Sequence, residues 1–255
     1  MLVLFELFVL FIVSLAANTL SSLAGGGAGL LQLPLLLFLG QPFAIALATH
    51  KAASVFLGVG ASIKHFGGGK INLPLVLTLM LAGIPGVILG ANIILAVPEL
   101  WATAALGILT LALGIYSMVK PSLGQHHNPV SFTLRHTLIG STVLFTIAVL
   151  NGSLTSGTGL FVTMWLIYWW RLDYQHAIAH TMVMVGLLWN GTGAVTLGLQ
   201  GEINWLWLMP LIAASFLGGW LGAHLAPKAG NKRIKRLFEL VTIATGASLL
   251  WRVFG

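Results

Sequence analysis

The chain says nearly the same thing twice. Gly27-Ala28-Gly29-Leu30 returns as Gly157-Thr158-Gly159-Leu160, an offset of 130 residues. Gly69-Lys70-Ile71-Asn72 returns as Gly201-Glu202-Ile203-Asn204, and the run Gly86 to Ala91 returns as Gly218 to Ala223, both at an offset of 132. Two halves with the same ordered motifs are expected to fold into the same order of elements and to meet at an interface. An apolar chain built this way has the pattern of a membrane carrier, whose substrate site lies between its repeats.

The solvent is set by composition. Hydrophobic residues make up 58% of the chain, charged residues 7%, and the mean hydropathy is +0.98. A soluble domain carries roughly 25% charged residues, so lipid must surround this one. There are no cysteines, which excludes disulfides and thiolate metal or redox chemistry. The net charge of +7 does not point to nucleic acid, because the basic residues sit in short loops between apolar runs. Met1 to Leu15 carries Glu6 and no basic residue, so it reads as a first membrane helix and not as a cleaved leader.

Apolar segments run over 2–24, 28–39, 44–66, 73–96, 99–119, 132–152, 157–170, 174–199, 204–226 and 233–253. Most approach the ~20 residues that cross a bilayer core. The two short ones, 28–39 and 157–170, occupy equivalent places in the halves. The polar stretch around His126-His127-Asn128-Pro129 divides the chain, giving a first repeat over 1–121, a linker over 122–131 and a second repeat over 132–255.

If every segment crosses, one side receives Lys64, Lys70, Lys120, Arg135, Arg171, Lys228, Lys232, Arg233, Lys235 and Arg236. The other receives Arg252 together with Glu6, Glu99 and Glu202. That asymmetry makes the first side cytoplasmic and puts both termini outside. Five segments per half is an odd number, so the fold class is all-α with two inverted repeats. Reading 2–39 and 132–170 as re-entrant hairpins leaves every later loop on the same side, so charge alone leaves both topologies open.

The chemistry concentrates at two glycine clusters, Gly25-Gly26-Gly27-Ala28-Gly29 and Thr155-Ser156-Gly157-Thr158-Gly159. Each lies where a long segment meets a short one. Glycine costs about 1 kcal/mol inside a helix relative to alanine, so these positions mark breaks that expose backbone amides at a positive helix end. An anion is the natural occupant. Asn151, Ser153, Thr155 and Ser156 add hydroxyl and amide groups beside the second break. Gly86 with Gly90, and Gly218 with Gly222, have instead the small-xxx-small spacing of close helix packing.

Thr49-His50-Lys51 lies inside an apolar segment, where a lysine must face a partner or a watery cavity. An anion is one partner for Lys51; Glu6 is another, and snorkelling to the surface a third. The matching stretch of the second half is His180-Thr181-Met182, with Val183 where the lysine was. His180 suits proton carriage, ligand binding or helix packing equally. Asn190, Gln32 and Asn18 are further amides that need partners in the bilayer. Trp101, Trp205, Trp207 and Trp251 near one face, and Trp169 and Trp170 near the other, are placed as interfacial anchors. Lys232 to Arg236 reads as a topology signal, with anionic lipid as the alternative. No phosphate loop, HExxH motif or intramembrane acidic pair is present, so neither an enzyme nor a cofactor or metal site is expected.

These residues resemble the TauE/SafE family of sulfite and organosulfur-anion exporters. The resemblance rests on Ser22 to Gly29, Ala48-Thr49-His50-Lys51 and Gly69 to Asn72 in the first half. It rests on Ser156 to Gly159, Ala179-His180-Thr181 and Gly218 to Ala223 in the second. It implies a multi-pass protein of the inner (plasma) membrane that exports sulfite, sulfoacetate or a similar small anion by alternating access. Where relatives have Thr-Asn-Lys this chain has Thr49-His50-Lys51, and the second-repeat lysine is absent; a single cationic side chain suits a monoanion. The expected binding set is Gly25, Gly26, Gly27, Gly29, Thr49, His50, Lys51, Ser156, Gly157, Thr158, Gly159, His180, Thr181 and Asn190. The expected partners are the anion and the lipid bilayer, with a homodimer as one open oligomeric state and no nucleic acid. A non-transporting membrane scaffold and a passive anion channel are the alternative functions.

Overall fold

The computed structural model describes residues 2–66, 71–93, 98–155 and 157–254, and every regular element among them is helical. Gly69, Lys70, Ser156 and Gly255 therefore lie outside the described residues. In chain order the helices are α1 (Leu2–Ala24), α2 (Gly29–Phe38), α3 (Phe43–Phe66), α4 (Leu73–Ile93) and α5 (Glu99–Val119). The second half has α6 (Leu134–Leu154), α7 (Thr158–Trp169) and α8 (Tyr174–Thr181). A π-helical stretch, Met182–Trp189, runs from α8 into α9 (Asn190–Gly198), and α10 (Trp205–Phe254) ends the fold.

Among the described residues six helical stretches are long and apolar enough to cross a membrane. α2 has 10 residues and α7 has 12, about 15 and 18 Å at ~1.5 Å per residue. Neither crosses a core of ~30 Å alone. The last two apolar segments follow one another within α10 as two helices parted by a kink at Gly230, whose φ of 71° and ψ of 159° are not helical.

Contacts between the halves come in exchanged pairs. Gly86 and Gly90 of α4 lie on α6, where an added Cβ would collide with Ala148 and with the Val149 carbonyl. Gly218 and Gly222 of α10 lie on α1, where a Cβ would meet Leu15 O at 2.9 Å and Thr19 O at 2.6 Å. These glycines are packing devices, as their spacing indicated. Gly58 of α3 meets Gly186 of the π-helical stretch backbone to backbone, and Gly107 and Gly114 of α5 rest on the second part of α10.

The loop motifs are exchanged too. Asn72 accepts from Leu75 N at 3.1 Å and so caps α4, while its own N–H donates to His180 Nε2 at 2.8 Å. Asn204 accepts from Trp207 N at 3.1 Å, while its N–H donates to Thr49 Oγ1 at 3.0 Å. The asparagine that ends each Gly-x-Ile-Asn motif thus caps its own helix and ties it to the polar patch of the opposite half.

Two expectations are corrected. Trp170 and Trp207 are core residues, 1% and 7% exposed, so they do not anchor at an interface; Trp101, Trp205 and Trp251 are exposed. Lys235 is not a free topology charge either. It is buried, donating to the Ser117 carbonyl, to Ser117 Oγ at 2.8 Å and to Glu239 Oε1 at 2.6 Å. A helical face one turn long cannot expose every member of a five-residue basic run, and the buried member needed acceptors.

Candidate functional site

Both glycine breaks have left-handed or otherwise glycine-favouring backbone. Gly25, Gly26 and Gly27 have φ of 88°, 146° and 104°, and Gly157, which precedes α7, has φ 76°. Thr155 stands where the first break has Gly25, and it keeps a positive φ of 56° despite its Cβ. A β-branched residue there is strained. The breaks touch each other: a Cβ on Gly26 would lie 2.6 Å from Gly159 C and Leu160 N. Only glycine lets two backbones come so close.

A cavity of about 30 Å³ lies at this junction, enough for water but closed to anything much larger. Its wall contains Gly26, Gly27, Ala28 and Gly29 from the first break and Asn151, Thr155, Thr158 and Gly159 from the second. Ser21, His50, Ser54, Thr181, Gly186 and Asn190 complete its polar and backbone surface, and no described residue lining it is acidic. The starts of α2 and α7 therefore both border one small chamber, each with the positive end of its helix dipole.

Of the expected residues, Gly26, Gly27, Gly29, His50, Thr158, Gly159, Thr181 and Asn190 line this cavity. Gly25 packs behind it, its carbonyl accepting from Thr163 Oγ1 at 2.7 Å; that hydroxyl also lies 2.9 Å from Thr181 Oγ1. Gly157 is the residue before α7, and Thr49 is engaged with Asn204. Ser156 lies outside the described residues. His180, next to Thr181 in the chain, does not line the cavity: its Nε2 accepts from Asn72 N–H and its Nδ1 lies 2.8 Å from His176 O, so both ring nitrogens are engaged elsewhere.

Lys51 is fully buried, and its ammonium crosses to the second break. Nζ donates to Asn151 O at 2.7 Å, Asn151 Oδ1 at 3.2 Å and Thr155 Oγ1 at 3.0 Å. An ammonium has three hydrogens, and all three have acceptors here. Among the described residues no ion pair joins Lys51 to Glu6. Asn151 passes the network on, donating from Nδ2 to Thr158 Oγ1 at 2.8 Å, and that hydroxyl donates to Thr155 O at 2.9 Å.

His50 Nδ1 lies 2.8 Å from Gln32 Oε1, an acceptor, so Nδ1 carries the hydrogen; Nε2 then accepts from Ser54 Oγ at 3.3 Å. Asn190 Oδ1 and Gln32 Nε2 are buried without partners. Of the two, Asn190 lines the cavity and Gln32 lies behind His50. Sequence reasoning missed Ser21, Ser54 and Thr163. Ser54 was within reach, since it follows His50 by four residues and so shares its helix face.

A second chamber, of about 170 Å³, lies where the linker meets α4 and α8. It is lined by Asn72, His127, His176 and His180 among others. Next to it Asp173 caps α8, accepting from His176 N at 2.8 Å and lying 2.7 Å from His176 Nδ1. Burial pushes the Asp173 carboxyl up, but the hydrogen bonds from His176 outweigh it and hold it at about 2.

A family model described as sulfite exporter TauE/SafE matches residues 10–249. A probable membrane transporter protein, ORF9 of Sinorhizobium, is 29% identical over 94% of this chain and 91% of its own length. A probable membrane transporter protein of Haemophilus influenzae is 27% identical, covering 95% and 94%. The probable membrane transporter protein YfcA of Escherichia coli K12 is 27% identical, covering 97% and 90%. No solved structure matches.

Proposed function

The chain belongs to the sulfite exporter TauE/SafE family, and on that premise we propose that it is a secondary carrier exporting a small sulfur oxyanion or organosulfonate by alternating access. The observation that carries this reading is the meeting of the two glycine breaks around one cavity, with the starts of α2 and α7 on opposite walls. Backbone amides at two helix starts suit the oxygens of sulfite, sulfoacetate or a similar anion. The family, described as sulfite exporters, favours the same class.

The carrier reading takes the halves as inverted repeats, related by an axis in the membrane plane, with the basic loops cytoplasmic. The exchanged contacts support it: Asn72 on His180 answers Asn204 on Thr49, and α4 on α6 answers α10 on α1. Rocking one repeat against the other about the breaks opens the chamber to one side and then the other.

Lys51 supplies the charge. With the site closed, its three hydrogens bind Asn151 and Thr155. An entering anion competes with those neutral acceptors, because it adds a full charge–charge attraction to the hydrogen bond with the ammonium. The exchange frees Thr155 and Asn151 and so loosens the second break as the ligand arrives. His50, Thr158 and Asn190 orient the remaining oxygens.

The test is flux by the purified protein in sealed liposomes. A carrier gives saturable efflux of sulfite or sulfoacetate, stimulated by substrate on the opposite side. A linear, unsaturated flux assigns a channel instead, and no flux of any sulfur anion overturns the proposal.

A further inference from the structure

We propose that His127, Asp173 and His176 form a binding site for a divalent transition metal ion of the zinc, cobalt or nickel class, holding the inter-repeat linker against the start of α8. The sequence reading expected no metal site. His127 is separated from the other two by all of α6 and α7, so no ligand spacing announces the cluster. Folding brings one ligand atom from each residue within 4.8 Å of the others.

The cluster is held in place by backbone. Tyr174 N donates to Gly124 O at 3.0 Å, Asn128 N to Arg171 O at 3.1 Å, and Val130 N to Trp170 O at 3.3 Å. The linker is therefore pinned on both sides of His127 to the connection between α7 and α8. Asp173 is fixed as the cap of α8, accepting from His176 N at 2.8 Å. Residues held by their own supporting bonds are what a metal site requires.

The geometry suits a small ion. Bonds of ~2.0–2.2 Å place tetrahedral ligand atoms roughly 3.3–3.6 Å apart. Asp173 Oδ1 and His176 Nδ1, now 2.7 Å apart across a shared hydrogen, open by less than ~1 Å to admit a metal in its place, the ring proton moving to Nε2. The His127 ring stacks on His176 with centroids 3.8 Å apart and planes 24° apart. Stacked rings cannot both aim a lone pair at one ion, so His127, an exposed side chain, turns on its χ angles to supply the third ligand. Two imidazole nitrogens and one carboxylate oxygen form a donor set for Zn²⁺, Co²⁺ or Ni²⁺ and not for Ca²⁺ or Mg²⁺.

The 170 Å³ chamber that His127 and His176 both line gives water or a small anion room to complete the shell. A bound ion would stiffen the start of α8, whose next turns carry His180 and Thr181. The site does not depend on which anion the carrier moves.

The experiment uses untagged, chelator-stripped protein in detergent, titrated with Zn²⁺ by calorimetry and with Co²⁺ by visible absorption. One equivalent should bind, with a rise in unfolding temperature and an intense Co²⁺ band of a four-coordinate nitrogen–oxygen site. His127→Ala, Asp173→Asn and His176→Ala should each weaken Zn²⁺ binding about tenfold or more. Asp173→Asn retains a capping side chain, and His126→Ala, one residue away and exposed, should bind as wild type does. Absence of stoichiometric binding in the wild type overturns the site, and so does wild-type affinity in His127→Ala.

Discussion

Lys51 and Thr155 stand 104 residues apart, in opposite halves of the chain, and the ammonium of one donates to the hydroxyl of the other at 3.0 Å. The acceptor is a threonine in a backbone conformation that threonine avoids, with φ 56°. That conformation costs on the order of 1–3 kcal/mol, and the lysine is one of the contacts that hold it.

Lys51→Ala should therefore abolish flux and also lower thermal stability. It leaves the amide oxygen of Asn151 without a donor, at about 1–3 kcal/mol, while the Asn151 carbonyl keeps the Thr155 N–H. Thr155→Gly removes the same hydroxyl but relaxes φ, so its stability should stay within about 1 kcal/mol of wild type while ligand affinity changes. Wild-type initial flux in Lys51→Ala below saturation would remove the lysine from the site.

The glycine breaks separate strain from collision. Gly26→Ala and Gly27→Ala carry positive φ beside the cavity, and a Cβ on Gly26 meets the Gly159 backbone. Both should lose the ligand-induced rise in unfolding temperature. Gly40 also has a positive φ, 85°, but a Cβ there meets nothing within 4 Å. Gly40→Ala should cost about 1–2 kcal/mol and transport normally. Equal loss of binding in Gly40→Ala would show that strain alone, and not the site, is being measured.

The packing glycines make a matched pair across the halves. Gly90→Leu drives a side chain into Val149, and Gly222→Leu drives one into Thr19 and Ser22. Each should lower expression or thermal stability by several degrees or more, since overpacking costs roughly 1–3 kcal/mol. The surviving folded fraction should bind ligand with unchanged affinity. A large shift in affinity at normal stability would contradict a pure packing role.

Lys235 joins α10 to α5 through Ser117 and Glu239. Lys235→Ala leaves Glu239 facing Ser117 without its cation and should destabilise by about 3 kcal/mol. Lys232→Ala, on the exposed part of the same run, should change stability by less than ~0.5 kcal/mol. Thermal unfolding of the two variants in one detergent decides between a structural lysine and a uniform surface charge.

The proposed orientation places the linker in the cytoplasm. A cysteine introduced at Ser122, an exposed position in a chain with no other cysteine, should resist an impermeant maleimide in sealed cells and react once they are opened. Labelling in sealed cells would falsify the assignment.

Much of this protein was legible in its residues. The apolar runs require lipid and helices, because no other open structure satisfies its backbone in a bilayer. The repeated Gly-x-Gly and small-xxx-small motifs marked the breaks and the packing faces, because a glycine where a longer side chain would be cheaper has a steric cause. His50 and Thr181 stood out as polar residues inside apolar segments, and the family was readable in the same runs.

What folding alone decided is what meets what across the two halves. Nothing in the sequence ties Lys51 to Asn151 and Thr155 instead of Glu6, since the choice depends on the second break crossing the first. Nothing in it separates the Trp170 and Trp207 of the core from the Trp101 and Trp251 of the surface. His180 could be named as polar, but its engagement by Asn72, from a loop 108 residues away, is a tertiary fact. Sequence determines how far each segment reaches and which faces can come close, because those depend on neighbours along the chain. Partners for buried polar groups are chosen by long-range packing, where the cost of an unpaired group in a low-dielectric interior selects among many candidates.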